Sequence, residues 1–225
     1  MTYLWSNRNY ILQLSSEHLT MVGIALAISL LIALPLSVLM ARSGRFATIV
    51  LGILGTLYTI PSIALLILLL PIFGLNQRSV IVALVIYTQI LLVRNIMAGL
   101  QGVSPVLLEA AKGAGMNGWQ RWFQVQLPLA LPVILAGVRL ATVVAIGVAT
   151  IGAKFGAGGL GTLLFDGIAQ NRYDKILAGS VVVALLALVL NYLLLALEDY
   201  FDTERRIVRR AKQLTVSSEL ACEGI

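Results

Sequence analysis

Five long blocks almost free of charge constrain this chain more than any other feature: residues 19–40, 47–73, 79–100, 129–151 and 176–197. At about 1.5 Å of rise per residue, each is long enough to cross roughly 30 Å of hydrocarbon as a helix. Strands fail here, because an open strand in lipid leaves its backbone polar groups unpaired; the blocks therefore predict helices despite their Val and Ile content. Composition agrees, since 59% of the 225 residues are apolar and 12% charged, against about a quarter charged in a soluble globule. The expected fold is all-α: a polytopic membrane protein of about five spans in one domain, residues 19–198. It lies between an external leader at 1–18 and a cytoplasmic basic tail at 199–225. The leader contains Glu17 and His18 and no small-residue cleavage site, so the first block reads as a retained span and not a signal peptide.

A formal charge of +6 does not point to nucleic acid, because several of the cations flank apolar blocks, where they set topology. Five spans put the chain ends on opposite sides. With the N-terminus outside, the inner segments carry Arg42, Arg45, Lys112, Arg121, Arg205, Arg206, Arg209, Arg210 and Lys212. The outer segments then carry Arg8, Arg78, Lys154, Arg172 and Lys175, and the positive-inside rule favours this orientation. One Cys (Cys222) and one His (His18) cannot build a disulfide within the chain or a zinc site. The final Cys-Glu-Gly-Ile departs from a prenylation box by placing Glu223 where an aliphatic residue is wanted. No G-x-x-x-x-G-K-[ST] run occurs, so the chain is expected neither to hydrolyse ATP nor to hold a cofactor or metal of its own.

The connection at 101–128 is several times longer than an ordinary helix–helix loop and faces the cytoplasm in this topology. Ser104 and Pro105 suit the cap and first position of a short helix through Leu107–Ala111, with Gly113 and Gly115 stopping it. Asn117 can cap a second short helix in which Trp119, Trp122 and Phe123 share one face, before Pro128 and Pro132 mark the start of the fourth span. Such a unit suits the groove of a partner protein, or, as an amphipathic helix, the bilayer surface.

Polar residues within the blocks are the remaining candidates for gating or lining a path. Pro61, flanked by Thr59 and Ser62, interrupts the second block and frees a carbonyl; Pro35 does the same in the first. Arg94, Asn95 and Arg139 are costly in lipid, and both arginines lie in the cytoplasmic halves of their helices, where they either snorkel or join a polar network near an inner gate. Gly156, Gly158 and Gly161 spell G-x-G-x-x-G, but no βαβ unit surrounds them; with Gly159 they read as a bend and short helix lining an external mouth. Tyr58, Phe73, Tyr87 and Phe155 serve packing or an interfacial belt as readily as a cation cage, so no solute site is assigned.

The stretch EAAKGAGMNGWQRWFQVQLP at 109–128 resembles the cytoplasmic EAA signature of ATP-binding-cassette importer permeases, through Glu109, Ala110, Ala111, Gly115, Val125 (usually Ile), Leu127 and Pro128. The phrases TIPSIALL, LPLALPVILAGVR and GAGGLGTLLFDGI further resemble the glycine betaine, choline and carnitine branch of the binding-protein-dependent type I importers. Methionine-type permeases share the five-span plan and a similar glycine phrase and form the second reading; a secondary transporter without ATPase subunits forms a third. The resemblance implies a multi-pass subunit of a bacterial or archaeal inner membrane. It also implies a second permease, identical or paralogous, two ATPase subunits holding ATP and Mg, and an external binding protein or lipoprotein. It assigns coupling to the ATPase to Glu109, Ala110, Ala111 and Gly115, with Trp119, Leu127 and Pro128 beside them.

Overall fold

The computed structural model describes residues 2–41 and 43–202. Arg42, Cys222 and the tail cations Arg205, Arg206, Arg209, Arg210 and Lys212 lie outside the described residues. In chain order the helices are α1 (Thr2–Ser6), α2 (Arg8–Ala41), α3 (Gly44–Thr59), α4 (Ser62–Phe73), α5 (Gln77–Gly102), α6 (Pro105–Gly113), α7 (Gly118–Arg121), α8 (Leu127–Gly152), α9 (Gly161–Ala169) and α10 (Tyr173–Phe201). A π turn at Trp122–Gln126 joins α7 to α8, and a 3₁₀ turn at Ala153–Phe155 follows α8.

α5 is the central post. Its buried residues, from Ser79 and Val80 through Leu84 and Thr88 to Leu100, leave no broad polar face, as expected of a helix enclosed by its neighbours. α2 and α8 pack on either side of it. The core has two apolar layers. One gathers Met21, Leu66, Val80, Leu84 and Ile146; the other gathers Met40, Leu92, Ile96, Met97 and Ile134 toward the end that carries α6. Between them runs a buried polar seam: the hydroxyls of Ser29 and Thr88 lie 2.7 Å apart, and Gln89 Nε2 donates to the Ser29 carbonyl at 3.2 Å. In lipid such cross-helix bonds replace the hydrophobic driving force that water would supply. Close helix approach contributes too, since a Cβ on Gly152 would lie 2.5 Å from Val80 Cγ1.

Three expectations are corrected here. The second apolar block is not one helix: α3 and α4 meet at 96°, and neither 16 nor 12 residues reaches across roughly 30 Å of hydrocarbon alone. Among the described residues, four helical stretches are long and apolar enough to cross a membrane, with the bent pair as a fifth. Next, the leader is not separate from the first span, because α2 already starts at Arg8 and takes Glu17 and His18 into its body. Finally, the helix at Gly118 does not stop before the fourth span. It runs on through the π turn into α8, spanning Gly118–Phe155 as one stretch. A proline ring collides with the carbonyl four residues back in a regular helix; the wider π turn just ahead of Pro128 relieves that contact.

Candidate functional site

The 101–128 segment is built from local signals. Pro105 occupies the first turn of α6, where its missing N–H costs nothing. Ser104 makes no side-chain cap; its carbonyl accepts instead from the amides of Leu107 (3.1 Å) and Leu108 (3.4 Å). The other end closes in a Schellman motif, in which Met116 N–H donates to Ala111 O at 3.1 Å and Gly115 N–H to Lys112 O at 3.0 Å. Gly115 sits at φ 83°, the left-handed conformation that this motif demands. Asn117 then caps α7 reciprocally: its Oδ1 accepts from Gln120 N–H at 2.9 Å, and Gln120 Oε1 accepts from Asn117 N–H at 2.8 Å.

This closure sets which residues face outward. Ala111 is buried, while Glu109 and Ala110 are exposed. Lys112 Nζ lies 3.9 Å from Glu109 Oε2, with side chains 64% and 74% exposed, so the pair contributes little stability. Trp119 stacks on Phe123, ring centroids 5.1 Å apart and 3° from parallel, and both are exposed. Trp122 leans toward the core beside Leu108 and Leu127, so the expected three-residue stripe divides into an outward pair and an inward third. An open apolar groove of about 1060 Å³ runs between these aromatics and Pro35, Val38 and Leu39 of α2. Pro128 is exposed and lines a cleft with Ser104 and Leu107.

At the broken span, Pro61 stands just before α4, with Thr59 and Ser62 on either side of the bend. The carbonyl of Ile60 is not left open, because the Tyr87 hydroxyl of α5 donates to it. Tyr58 meets the Tyr87 ring edge-on at 5.7 Å. Tyr87→Phe should therefore strand that carbonyl and lower the stability of the purified protein by about 1–3 kcal/mol, read as a fall in thermal midpoint; an unchanged midpoint would show that the bend does not depend on this bond.

Gly156, Gly158 and Gly159, at φ 78°, 75° and 76°, form the bend after α8, and Gly161 opens α9. The bend is pinned from α2: Gly159 N–H donates to Glu17 Oε2 at 3.2 Å, and Gln13 Nε2 donates to Glu17 Oε1 at 3.0 Å. The fully buried His18 ring fills the space beside Gly159, where a Cβ would come within 3.0 Å of its Nδ1.

Arg94, Asn95 and Arg139 are not brought together. Arg94 is exposed on α5, and Asn95 Nδ2 donates to its own helix at Leu91 O, 2.8 Å away. Asn95 packs against Gly137, where a Cβ would lie 2.4 Å from Asn95 Cβ. Arg139 faces the other way: its Nε donates to Glu198 Oε2 at 3.1 Å and its Nη1 to Asn191 Oδ1 at 3.5 Å. Glu198, at the edge of the expected membrane domain, is a buried part of α10. Sequence reasoning passed over Glu17, Tyr87 and Glu198 in these roles. The one available signal was that an arginine deep in an apolar block needs a counter-charge, and Glu198 ends the last such block.

Comparison with known proteins accords with this arrangement. The family described as binding-protein-dependent transport system inner membrane component matches residues 25–207. The glycine betaine/carnitine/choline transport system permease protein OpuCB of Bacillus subtilis is 36% identical over 213 residues, 95% of each chain. The osmoprotectant import permease protein OsmW of Salmonella typhimurium is 42% identical over 197 residues, 85% of this chain and 92% of that one. Among solved structures, an inward-facing MetNI methionine ABC transporter superposes with a TM-score of 0.75 at 22% identity, covering 85% of this chain and 96% of its counterpart. With its apolar spans, its capped 101–128 segment and these relatives, the chain belongs to the family of inner-membrane components of binding-protein-dependent transport systems.

Proposed function

We propose that this chain is the permease subunit of an ATP-driven importer for osmoprotectants such as glycine betaine, choline or carnitine. The observation that carries the reading is α6 itself, a short helix with Glu109 and Ala110 exposed, closed at Gly115 and joined to a rod that continues into α8. Relatives named for these solutes match over most of its length. In this reading two permeases form the path, and two ATPase subunits on the inner face hold ATP and Mg. Each receives Glu109, Ala110, Ala111 and Gly115 in a cleft, with Trp119, Leu127 and Pro128 supporting them. ATPase closure draws the two α6 segments together and opens the path outward, where an external binding protein delivers solute. Gating falls to the Thr59–Pro61–Ser62 bend and to the glycine bend. The N-terminus is outside and the C-terminus inside.

Two measurements test this. Uptake of labelled betaine, choline, carnitine and methionine is compared in a strain lacking the gene; loss of the first three on deletion and return on complementation supports the reading. Loss of methionine uptake alone, or uptake that survives removal of the ATPase, overturns it. For orientation, Lys112→Cys combined with Cys222→Ser should react with an impermeant maleimide in inside-out vesicles and not in intact cells.

A further inference from the structure

The way α10 is attached to the bundle carries a further inference. Of its 29 residues only Ala178, Gly179 and Glu198 are buried. Gly179 lies against α9, where a Cβ would meet Leu163 and Leu164 at 3.1 Å. Between Gly179 and Glu198 the helix gives the core only half-buried side chains such as Val183, Ala187 and Leu190. At the far end the attachment is ionic: Glu198, its side chain 7% exposed, holds Arg139, 25% exposed, at 3.1 Å. Asn191, two turns earlier on α10, takes a second guanidinium N–H at 3.5 Å.

Lipid tails are as apolar as leucine, so packing alone gives an apolar helix no strong preference for one register on α8. Stability does not require a charged pair either, since desolvating two charges offsets much of their attraction and apolar residues of similar size would hold the helix as well. A guanidinium bonded to two acceptors fixes both the height and the rotation of α10 on α8. Position adds the rest. α8 is one helical stretch with the segment starting at Gly118. The end of α10, at Phe201 and Asp202, borders a cleft of about 260 Å³ shared with Ser104, Leu107 and Pro128 at the root of α6.

We propose that Arg139, Glu198 and Asn191 form a clamp that makes α10 move as one body with α8 when the 101–128 segment is displaced. They are positioning residues for transport. The proposal rests on the coupling role given to α6 above.

The test uses the complete importer, permease with ATPase and binding protein in proteoliposomes, and reads labelled glycine betaine and choline moved per ATP hydrolysed. Arg139→Gln and Glu198→Gln should each lower that ratio at least about fivefold, the low end of ordinary coupling free energies. The exchange Arg139→Glu with Glu198→Arg should restore at least half of it at an unchanged membrane level. A wild-type ratio in both single variants overturns the clamp, as does an exchange that reaches the membrane without recovering the ratio. Absence of all three variants from the membrane assigns the pair to folding and also overturns it. A wild-type complex without ATP-driven uptake removes the importer reading beneath the clamp, and full uptake by Glu109→Lys removes the coupling role of α6 on which the clamp rests. Uptake lost in Glu109→Lys but intact in both pair variants overturns the clamp alone.

Discussion

Glu109→Lys and Gly115→Pro should each abolish ATP-dependent uptake while the protein stays in the membrane. Glu109 is exposed, and its contact with Lys112 at 3.9 Å is weak, so reversing its charge costs the isolated fold only a few tenths of a kcal/mol. A loss of uptake of at least about tenfold, or about 1.4 kcal/mol, would therefore report a missing partner contact. Gly115→Pro acts on shape. It removes the N–H that donates to Lys112 O, and proline cannot adopt the φ of 83° found there. The turn must open, changing the angle at which α6 is presented. Membrane level by immunoblot and uptake in the same cells check both variants; full uptake by either would remove coupling from that residue.

Gly161→Ala should be the most damaging glycine-to-alanine change among the described residues. A Cβ there would lie 2.0 Å from the carbonyl oxygen of Thr150 and 2.8 Å from Ala153 Cβ. Neither neighbour can swing aside, because one is backbone near the end of α8 and the other stands on the following 3₁₀ turn. Overpacking of this kind costs about 1–3 kcal/mol or more, and it would push α9 and the glycine bend off the bundle. Gly23→Ala is the control: nothing lies within 4 Å of its added methyl on α2, and a helical Gly→Ala change is expected to stabilise by up to about 1 kcal/mol. Thermal unfolding of the purified protein separates the two. Equal midpoints for both variants would show that α9 does not sit this close to α8.

Much of this was legible because it is written in local chemistry. Apolar length marked the spans, Gly115 marked the end of α6, and Asn117 marked the start of the next helix, each within a few residues of its effect. What could not be read depends on partners distant along the chain. The Ile60 carbonyl at the bend is held by a hydroxyl 27 residues later, Arg139 by a carboxylate 59 residues on, and Gly159 by Glu17 across 142 residues. The same proline chemistry had opposite outcomes: at Pro61 the helix ends, with Leu57 O accepting from Ile60 N–H and Ile60 O from Tyr87, whereas Pro128 and Pro132 were absorbed into α8 behind a π turn. Sequence supplies the strain in both places, and neighbours decide how it is relieved.

The 34 residues of α2 make a rod about 51 Å long. Laid at a slant, it would need to lean roughly 54° to hide within 30 Å of oil, beyond the range that transmembrane helices adopt. About a quarter of the rod or more must therefore stand in headgroups or water, and Gln13, Ser15, Ser16 and Glu17 are dressed for that setting. The glycine bend is thus tied, through Glu17, to the polar end of a post longer than the bilayer's oil is thick.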